Sequence, residues 1–326
     1  MAQRILLIGH GSISQAYIEA MSRMPEAVIA GVAGRSGERA AAFAKQQGIE
    51  AYGISIADTA RRSAATAAVI CTPNAAHYDH VLEAAASGLH CLCEKPLHIR
   101  PDRQLQMIEA CRSRGLILTV SYMRRYSEHW QLIKQLMDSG ALGRILSVDA
   151  SIKHYRSSDY YQSWHGTYSE DGGGPFMQQG AHLIDLAQWL CGGYAEVLNA
   201  KTFRLLHSIE TEDHGYATVR YANGAVGMIQ ASTACTGMAS ERIEISGTKG
   251  SISADFAGIL HSTLPGLEIG GLAEAIPSAL FGKLCADFVS ACITGAKPLI
   301  HPDSAALTTQ LILDIYKAAG DPVQMF

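Results

Sequence analysis

Gln3-Arg4-Ile5-Leu6-Leu7-Ile8-Gly9-His10-Gly11-Ser12-Ile13-Ser14 decides the fold: an apolar run, a glycine turn and the opening of a helical pattern follow one another without a gap. Four to six apolar residues closed by glycine read as a buried strand. Gly9 permits a tight turn, and Gly11 lets backbone approach a pyrophosphate at the positive end of the next helix. Ser14 stands where such a turn usually ends in Gly or Ala, so the match is incomplete. A glycine turn can also serve only to pack a helix on a strand; the surrounding order of elements decides between these readings.

Working outward, strand patterns at Ile5–Ile8, Val28–Ala33, Ala67–Thr72, His90–Glu94 and Leu116–Val120 alternate with helical patterns at Ile13–Met24, Gly37–Gln47, Ala76–Ser87 and Asp102–Arg114. Apolar strands separated by amphipathic helices predict a parallel sheet covered on both faces, and right-handed crossovers make it doubly wound. After Val120 the rhythm changes. A helix over Ser127–Ser139 is followed by longer strands with polar alternation: Ile145–Tyr155, Glu196–Arg204, Asp213–Tyr221, Ala225–Ala234, Glu241–Ser246 and Ser251–Ala254. Asn223-Gly224 predicts a hairpin turn, because this pair accepts positive φ. Helices over Ala279–Thr294 and Pro302–Ala319 close the chain. The expected architecture is α/β plus α+β: a doubly wound Rossmann domain over 1–121, then a domain over 122–326 with a large open, mainly antiparallel sheet flanked by helices.

A carboxylate at the end of the second strand would hold the adenosine ribose and favour NAD. The strand instead ends Val32-Ala33-Gly34-Arg35-Ser36, with Arg39 one turn on. Arg35, Ser36 and Arg39 can surround a 2′-phosphate, so NADP is the expected preference and NAD the alternative. Solvated arginines at a strand end are the plainer account.

With 326 residues, 48% hydrophobic and 17% charged, the chain can bury a full core, and a formal charge of -4 offers no electrostatic reason to bind nucleic acid. No apolar run is long enough to span a bilayer, and the opening run from Met1 is too short for a signal peptide. The eight cysteines form no Cys-x-x-Cys pair and sit mostly in apolar segments, which predicts reduced thiols, a cytoplasmic setting and no metal.

Two further segments narrow the reading: Thr72-Pro73-Asn74-Ala75-Ala76-His77 with Cys93-Glu94-Lys95-Pro96-Leu97, and Gly172-Gly173-Gly174-Pro175-Phe176-Met177-Gln178-Gln179-Gly180-Ala181-His182-Leu183-Ile184-Asp185. With the glycine turn and Tyr122-Met123-Arg124-Arg125-Tyr126, they resemble the Gfo/Idh/MocA family of sugar and polyol oxidoreductases. The resemblance implies that Lys95 and His182 are catalytic, meeting at the reacting hydroxyl beside the nicotinamide, and that Lys95-Pro96 is cis. It also places Thr72, Pro73, Asn74, His77 and Glu94, with Gly9, Gly11, Ser12 and Ile13, against the dinucleotide. Gln178, His182 and Asp185 share one helical face if the helix starts early enough, which would let Asp185 orient the imidazole. Many relatives carry Asp where Gln178 stands; an amide can hold a hydroxyl but cannot exchange its proton, so the acid/base load falls on His182 and Lys95. Gln178-Gln179-Gly180-Ala181-His182 resembles the Asn-Gln-Gly-x-His pattern of relatives some of which act on nucleotide-linked or glycosidic sugars.

The remaining expected substrate contacts are Tyr122, His154, Tyr161, Trp164 and His165. The aromatic stretch 160–165 suits a sugar, with its apolar CH faces and hydroxyls, and equally suits a loop capping the core. The leading expectation is an NAD(P)-dependent dehydrogenase or reductase of a carbohydrate or cyclic polyol. A glycoside hydrolase using tightly held NAD and a non-catalytic dinucleotide- or sugar-sensing regulator are the alternatives. An open sheet needs a cover, which predicts a homodimer or homotetramer.

Overall fold

The computed structural model describes residues 2–267 and 277–321; Met1 and the ends of the expected substrate domain at 268–276 and 322–326 lie outside them. The described residues fall into two compact units, 2–123 with 277–306 and 124–267 with 307–321.

The first unit contains β1 (Gln3–Ile8), α1 (Ser14–Met21), β2 (Ala27–Ala33), α2 (Gly37–Gln47), β3 (Ala51–Gly53), α3 (Ile56–Ser63), β4 (Ala67–Ile70), α4 (His77–Ala86), β5 (His90–Cys93), α5 (Pro101–Arg112) and β6 (Leu118–Val120). The six strands form one sheet in the order β3-β2-β1-β4-β5-β6, every pairing parallel. This is the doubly wound arrangement expected. The strands are Val/Ile/Leu/Ala-rich because both faces are covered: Ile5, Leu6, Leu7, Ala67, Ala68, Val69 and Ile70 are all 0% exposed. Ala-Tyr-Gly of β3 has no apolar run, and the stripe that α3 buries, Ile56, Thr59, Ala60 and Ser63, is half polar, so neither element is announced by hydrophobic pattern. Helix α1 stops at Met21, three residues before its predicted end.

The second unit contains α6 (Glu128–Asp138), β7 (Ile145–His154), α7 (Ala181–Leu190), β8 (Tyr194–Phe203), β9 (His214–Tyr221), β10 (Val226–Ser232), β11 (Ala239–Gly247), β12 (Ser251–Ala254) and β13 (Ile259–Ser262). These strands form a 7-stranded sheet in the order β13-β12-β11-β7-β10-β9-β8. It is antiparallel except between β7 and β10, which run parallel across the sheet centre. The chain thus leaves β7, builds β8, β9 and β10 inward from one edge, and crosses β7 to lay down β11. Along β9, Gly215, Ala217, Val219 and Tyr221 are buried while Tyr216 and Arg220 are exposed, so one face of the sheet packs and the other is open. Helices α8 (Pro277–Thr294) and α9 (Pro302–Ala319) complete the chain. In the first unit α8 packs on α1, where Phe281 meets Tyr17 edge-on at 5.1 Å.

All eight cysteines are free thiols. No helix among the described residues is long and apolar enough to cross a membrane.

Candidate active site

Because every strand of the first sheet points the same way, four segments gather at its carboxyl edge: Gly9–Ser14 after β1, Gly34–Ser36 after β2, Thr72–Asn74 after β4 and Glu94–Pro96 after β5. The strand order reverses between β1 and β4, the place where such sheets open a crevice for ligands. Gly9 has φ +92°, and a Cβ there would come within 2.7 Å of the Cys71 carbonyl, so no other residue fits. A Cβ on Gly11 would meet nothing within 4 Å, which leaves the room a pyrophosphate needs over the amino end of α1. Ser12 and Ile13 form the exposed turn between. Ser14 explains its own departure from the glycine pattern: it is fully buried, and its hydroxyl is satisfied by the Gly11 carbonyl at 2.6 Å. The residues present fit a dinucleotide. At the far end Arg35 and Arg39 are exposed and, among the described residues, make no ion pair; the Ser36 hydroxyl caps α2 by accepting from the Arg39 N–H at 3.3 Å.

The segment after β5 is fixed from both sides. Tyr17 of α1 donates to the Glu94 carboxylate at 2.6 Å, and the other Glu94 oxygen accepts from the Lys95 N–H at 3.1 Å. Burial raises the Glu94 carboxyl above its ordinary range, opposed by the Tyr17 bond and the Lys95 charge. Lys95-Pro96 is cis. His77, expected at the cofactor, is instead 0% exposed, with Nδ1 2.9 Å from the Pro96 carbonyl and Nε2 2.9 Å from that of Thr72. It ties the loop after β4 to the loop after β5. Burial lowers its pKa, although two carbonyl acceptors favour the doubly protonated ring. Thr72 is further held by His80, Oγ1 to Nδ1 at 3.0 Å, while Pro73 leads into a short 3₁₀ turn in which Asn74 is 4% exposed. Tyr122 is 0% exposed, a core side chain and not the expected substrate contact.

In the second unit the glycine-rich motif is a packing device. A Cβ on Gly173 would lie 2.1 Å from the Tyr316 hydroxyl, and one on Gly174 only 2.0 Å from the Glu212 carbonyl. The buried Glu212 carboxyl accepts from the N–H groups of Gly174 (3.0 Å) and Phe176 (3.3 Å) and from the Tyr316 hydroxyl (2.7 Å). Burial outweighs these bonds and pushes Glu212 up to about 8. The folded chain therefore keeps a proton that the unfolded chain releases near pH 4.5, so stability present at low pH declines as pH rises from about 4.5 to 8. We expect Glu212→Gln to flatten that decline, which can reach about 1.4 kcal/mol per pH unit for one proton. Denaturant titrations of both proteins across this range would show it; parallel pH profiles would contradict it.

Gln178 lies in the turns before α7 and not on the helix, so the shared helical face with His182 and Asp185 does not form. Its amide donates instead to the buried carboxylate of Asp171, which also accepts from the Gly166 N–H at 2.9 Å and faces His165 Nδ1 at 3.3 Å. A buried carboxylate seven residues upstream is thus hydrogen-bonded to the amide at position 178. His182 stands in the first turn of α7. Asp185 does not serve as its expected partner: it is 1% exposed and paired with Arg125 at 2.7 Å and 2.5 Å, with the Thr308 hydroxyl adding a bond of 2.8 Å. Residues three apart on a helix can share a face, but here the Asp185 carboxylate is taken up by the Arg125 guanidinium.

The aromatic loop stacks on itself. His165 lies between Tyr160, parallel at 4.1 Å, and Trp164 at 3.9 Å, all three partly exposed. Tyr161 donates to Thr233 at 2.7 Å. His154 pairs with Glu241 at 3.2 Å, and Glu241 is also clasped by Arg124; burial, then Arg156 and Arg124, lower the His154 pKa. Asp171, Glu212 and Glu241 were not singled out from the sequence. Only Asp171 gave a signal, lying directly before the glycine run. Among the described residues no cluster of His, Cys, Asp or Glu could hold a metal ion.

Residues 3–122 match the model of the oxidoreductase family with NAD-binding Rossmann fold, and residues 130–253 match that of the GFO/IDH/MocA C-terminal domain. The chain belongs to the GFO/IDH/MocA oxidoreductase family. Among family members, it is 26% identical over 259 residues to inositol 2-dehydrogenase of Rhizobium meliloti, covering 78% of this chain and 76% of that one. Levoglucosan dehydrogenase of Pseudarthrobacter phenanthrenivorans is 31% identical over 209 residues, of which the match spans 53% of the relative's length. In structure, the WlbA dehydrogenase of Bordetella pertussis, solved with NADH and UDP-GlcNAcA, superposes with a TM-score of 0.85 at 28% identity, over 98% of this chain and 97% of that one.

Proposed function

We propose that this GFO/IDH/MocA protein moves hydride between a nicotinamide and a secondary alcohol or ketone of a sugar, sugar derivative or cyclic polyol, with NADP preferred over NAD. The observation that carries the reading is the carboxyl edge of the parallel sheet, where an open glycine turn, two exposed arginines and a clamped Lys95 loop lie side by side. The bound nicotinamide would supply the hydride acceptor or donor. The protein's part is to orient the substrate and handle the hydroxyl proton. In this reading Lys95 Nζ holds the reacting oxygen and His182 takes its proton in oxidation or returns it in reduction. Gln178, held by Asp171, and the Tyr160–His165–Trp164 stack orient the remaining hydroxyls and CH faces, with His154 and Tyr161 at the rim. In this reading the first unit, the expected 1–121 domain joined by 277–306, carries the dinucleotide, and the rest of the expected 122–326 domain carries the substrate. Relatives named as an inositol 2-dehydrogenase and a levoglucosan dehydrogenase, and the WlbA dehydrogenase in complex with UDP-GlcNAcA, support the substrate class. The open sheet face bearing Tyr216 and Met228 supports self-association as a dimer or tetramer, and the eight free thiols support a cytoplasmic setting.

A panel of sugars, inositols, glycosides and nucleotide sugars, followed at the nicotinamide absorbance with both cofactors, tests the proposal. We expect turnover with at least one class and tighter binding of NADPH than NADH. Glycoside cleavage without net absorbance change would replace it with the elimination reading. Binding of dinucleotide with no turnover of any of them would replace it with the sensor reading.

A further inference from the structure

The cofactor preference above rests on Arg35, Ser36 and Arg39, yet the position that a ribose-binding carboxylate would occupy is Gly34, and its surroundings say more. Gly34 lies outside the positive-φ region, so its backbone accepts any residue. The side-chain space is what is taken. A Cβ built on Gly34 would sit 2.7 Å from His10 Nε2 and 2.8 Å from His10 Cδ2. The imidazole of His10, from the glycine turn after β1, is therefore laid across the end of β2 where the side chain of residue 34 would stand. It is backed by Phe43 of α2, with ring centroids 5.6 Å apart at 31°.

We infer that His10 determines cofactor specificity, by filling the carboxylate's place and offering a ring N–H to the 2′-phosphate of NADP. The two effects act in the same direction. A 2′-hydroxyl needs an acceptor for its proton, and an aspartate would provide one; the imidazole excludes it. A 2′-phosphate needs donors, and His10 adds one to the arginine N–H groups beside it. Arg35 and Arg39 flank the site from the loop and from α2, and Ser36 caps that helix, so a phosphate oxygen there would also face the amino end of α2. The consequence is a dependence between two positions that the usual single substitution would miss. A carboxylate introduced at residue 34 meets the His10 ring, which must move aside before an NAD site can form.

The test is a double-mutant cycle of His10→Ala and Gly34→Asp, read as the dissociation constants of NADPH and NADH by fluorescence titration, with thermal melting as a check on folding. His10→Ala should weaken NADPH binding about tenfold and move NADH by less than about threefold, the range for losing one hydrogen bond to a charged group. Gly34→Asp alone should weaken NADPH without tightening NADH. The double variant should bind NADH more tightly than either single variant and the parent. If the parent binds NADH more tightly than NADPH, the NADP reading itself falls, and this inference with it. If the parent prefers NADPH but His10→Ala leaves NADPH binding unmoved, or Gly34→Asp alone gains NADH as fully as the pair, the role of His10 is overturned while the NADP reading stands. Should Gly34→Asp fail to fold, His10→Ala alone still decides, through the ratio of the two dissociation constants.

Discussion

Lys95→Met lowers kcat by about 10²–10⁴, the usual span for removing a positioned proton-handling group, and leaves the dissociation constant of the dinucleotide within about threefold. Methionine keeps the length of the side chain and removes its charge and its N–H donors. The backbone that carries residue 95 does not depend on the ammonium: Glu94 is held by Tyr17, Pro96 by His77, and the Lys95 N–H by Glu94. The loss should therefore appear in kcat and not in cofactor binding. His182→Ala should behave in the same manner. If both groups serve one proton, the double variant loses less than the product of the two single losses. Stopped-flow measurement of the hydride step in all four proteins checks this. Unchanged turnover in both single variants would remove Lys95 and His182 from the chemistry.

Asp185→Ala costs about 3–5 kcal/mol of stability, because it removes the bidentate carboxylate from the Arg125 guanidinium, buried in the interior of the second unit. Both side chains are 1% exposed, and the pair is bidentate. The Trp189 ring centroid lies 5.5 Å from the same guanidinium. A typical domain is stable by only about 5–15 kcal/mol, which makes this a large fraction. Asp185→Asn keeps one acceptor and should fall between. Chemical denaturation decides. A variant that melts like the parent but turns over slowly would return Asp185 to the role of orienting His182 that its spacing first suggested.

Much of the first unit was legible because its signals are local. A buried parallel strand is written as a continuous apolar run, and Gly9 is announced by the glycine turn that closes it, although the atoms that leave no room for a Cβ lie at the end of the neighbouring strand β4. The long strands of the second sheet were legible by alternation. The parallel pairing of β7 with β10 was not, since consecutive strands give no sign of which neighbour they will choose. The same limit governed the site. Lys95 and His182 are proposed from motif alone, and the partners of other expected site residues are set by tertiary packing: Asp185 belongs to Arg125, Gln178 to Asp171, and His77 to two backbone carbonyls. Gly173 and Gly174 read as a motif and are explained only by Tyr316 and Glu212, far along the chain. Sequence spacing shows which residues can share a face; it does not show what already fills the space beyond it.

His77 carries one last consequence, for anyone who would engineer the molecule. With a ring nitrogen on each of two carbonyls, it makes the turn after β4 and the stretch bearing Lys95 a single mechanical piece. Affinity and rate are thereby yoked on that side of the crevice. Changes at Thr72 or Asn74 aimed at tighter cofactor binding will surface as altered turnover, whereas those at Arg35 or Arg39, outside the yoke, leave turnover at saturating cofactor where it was.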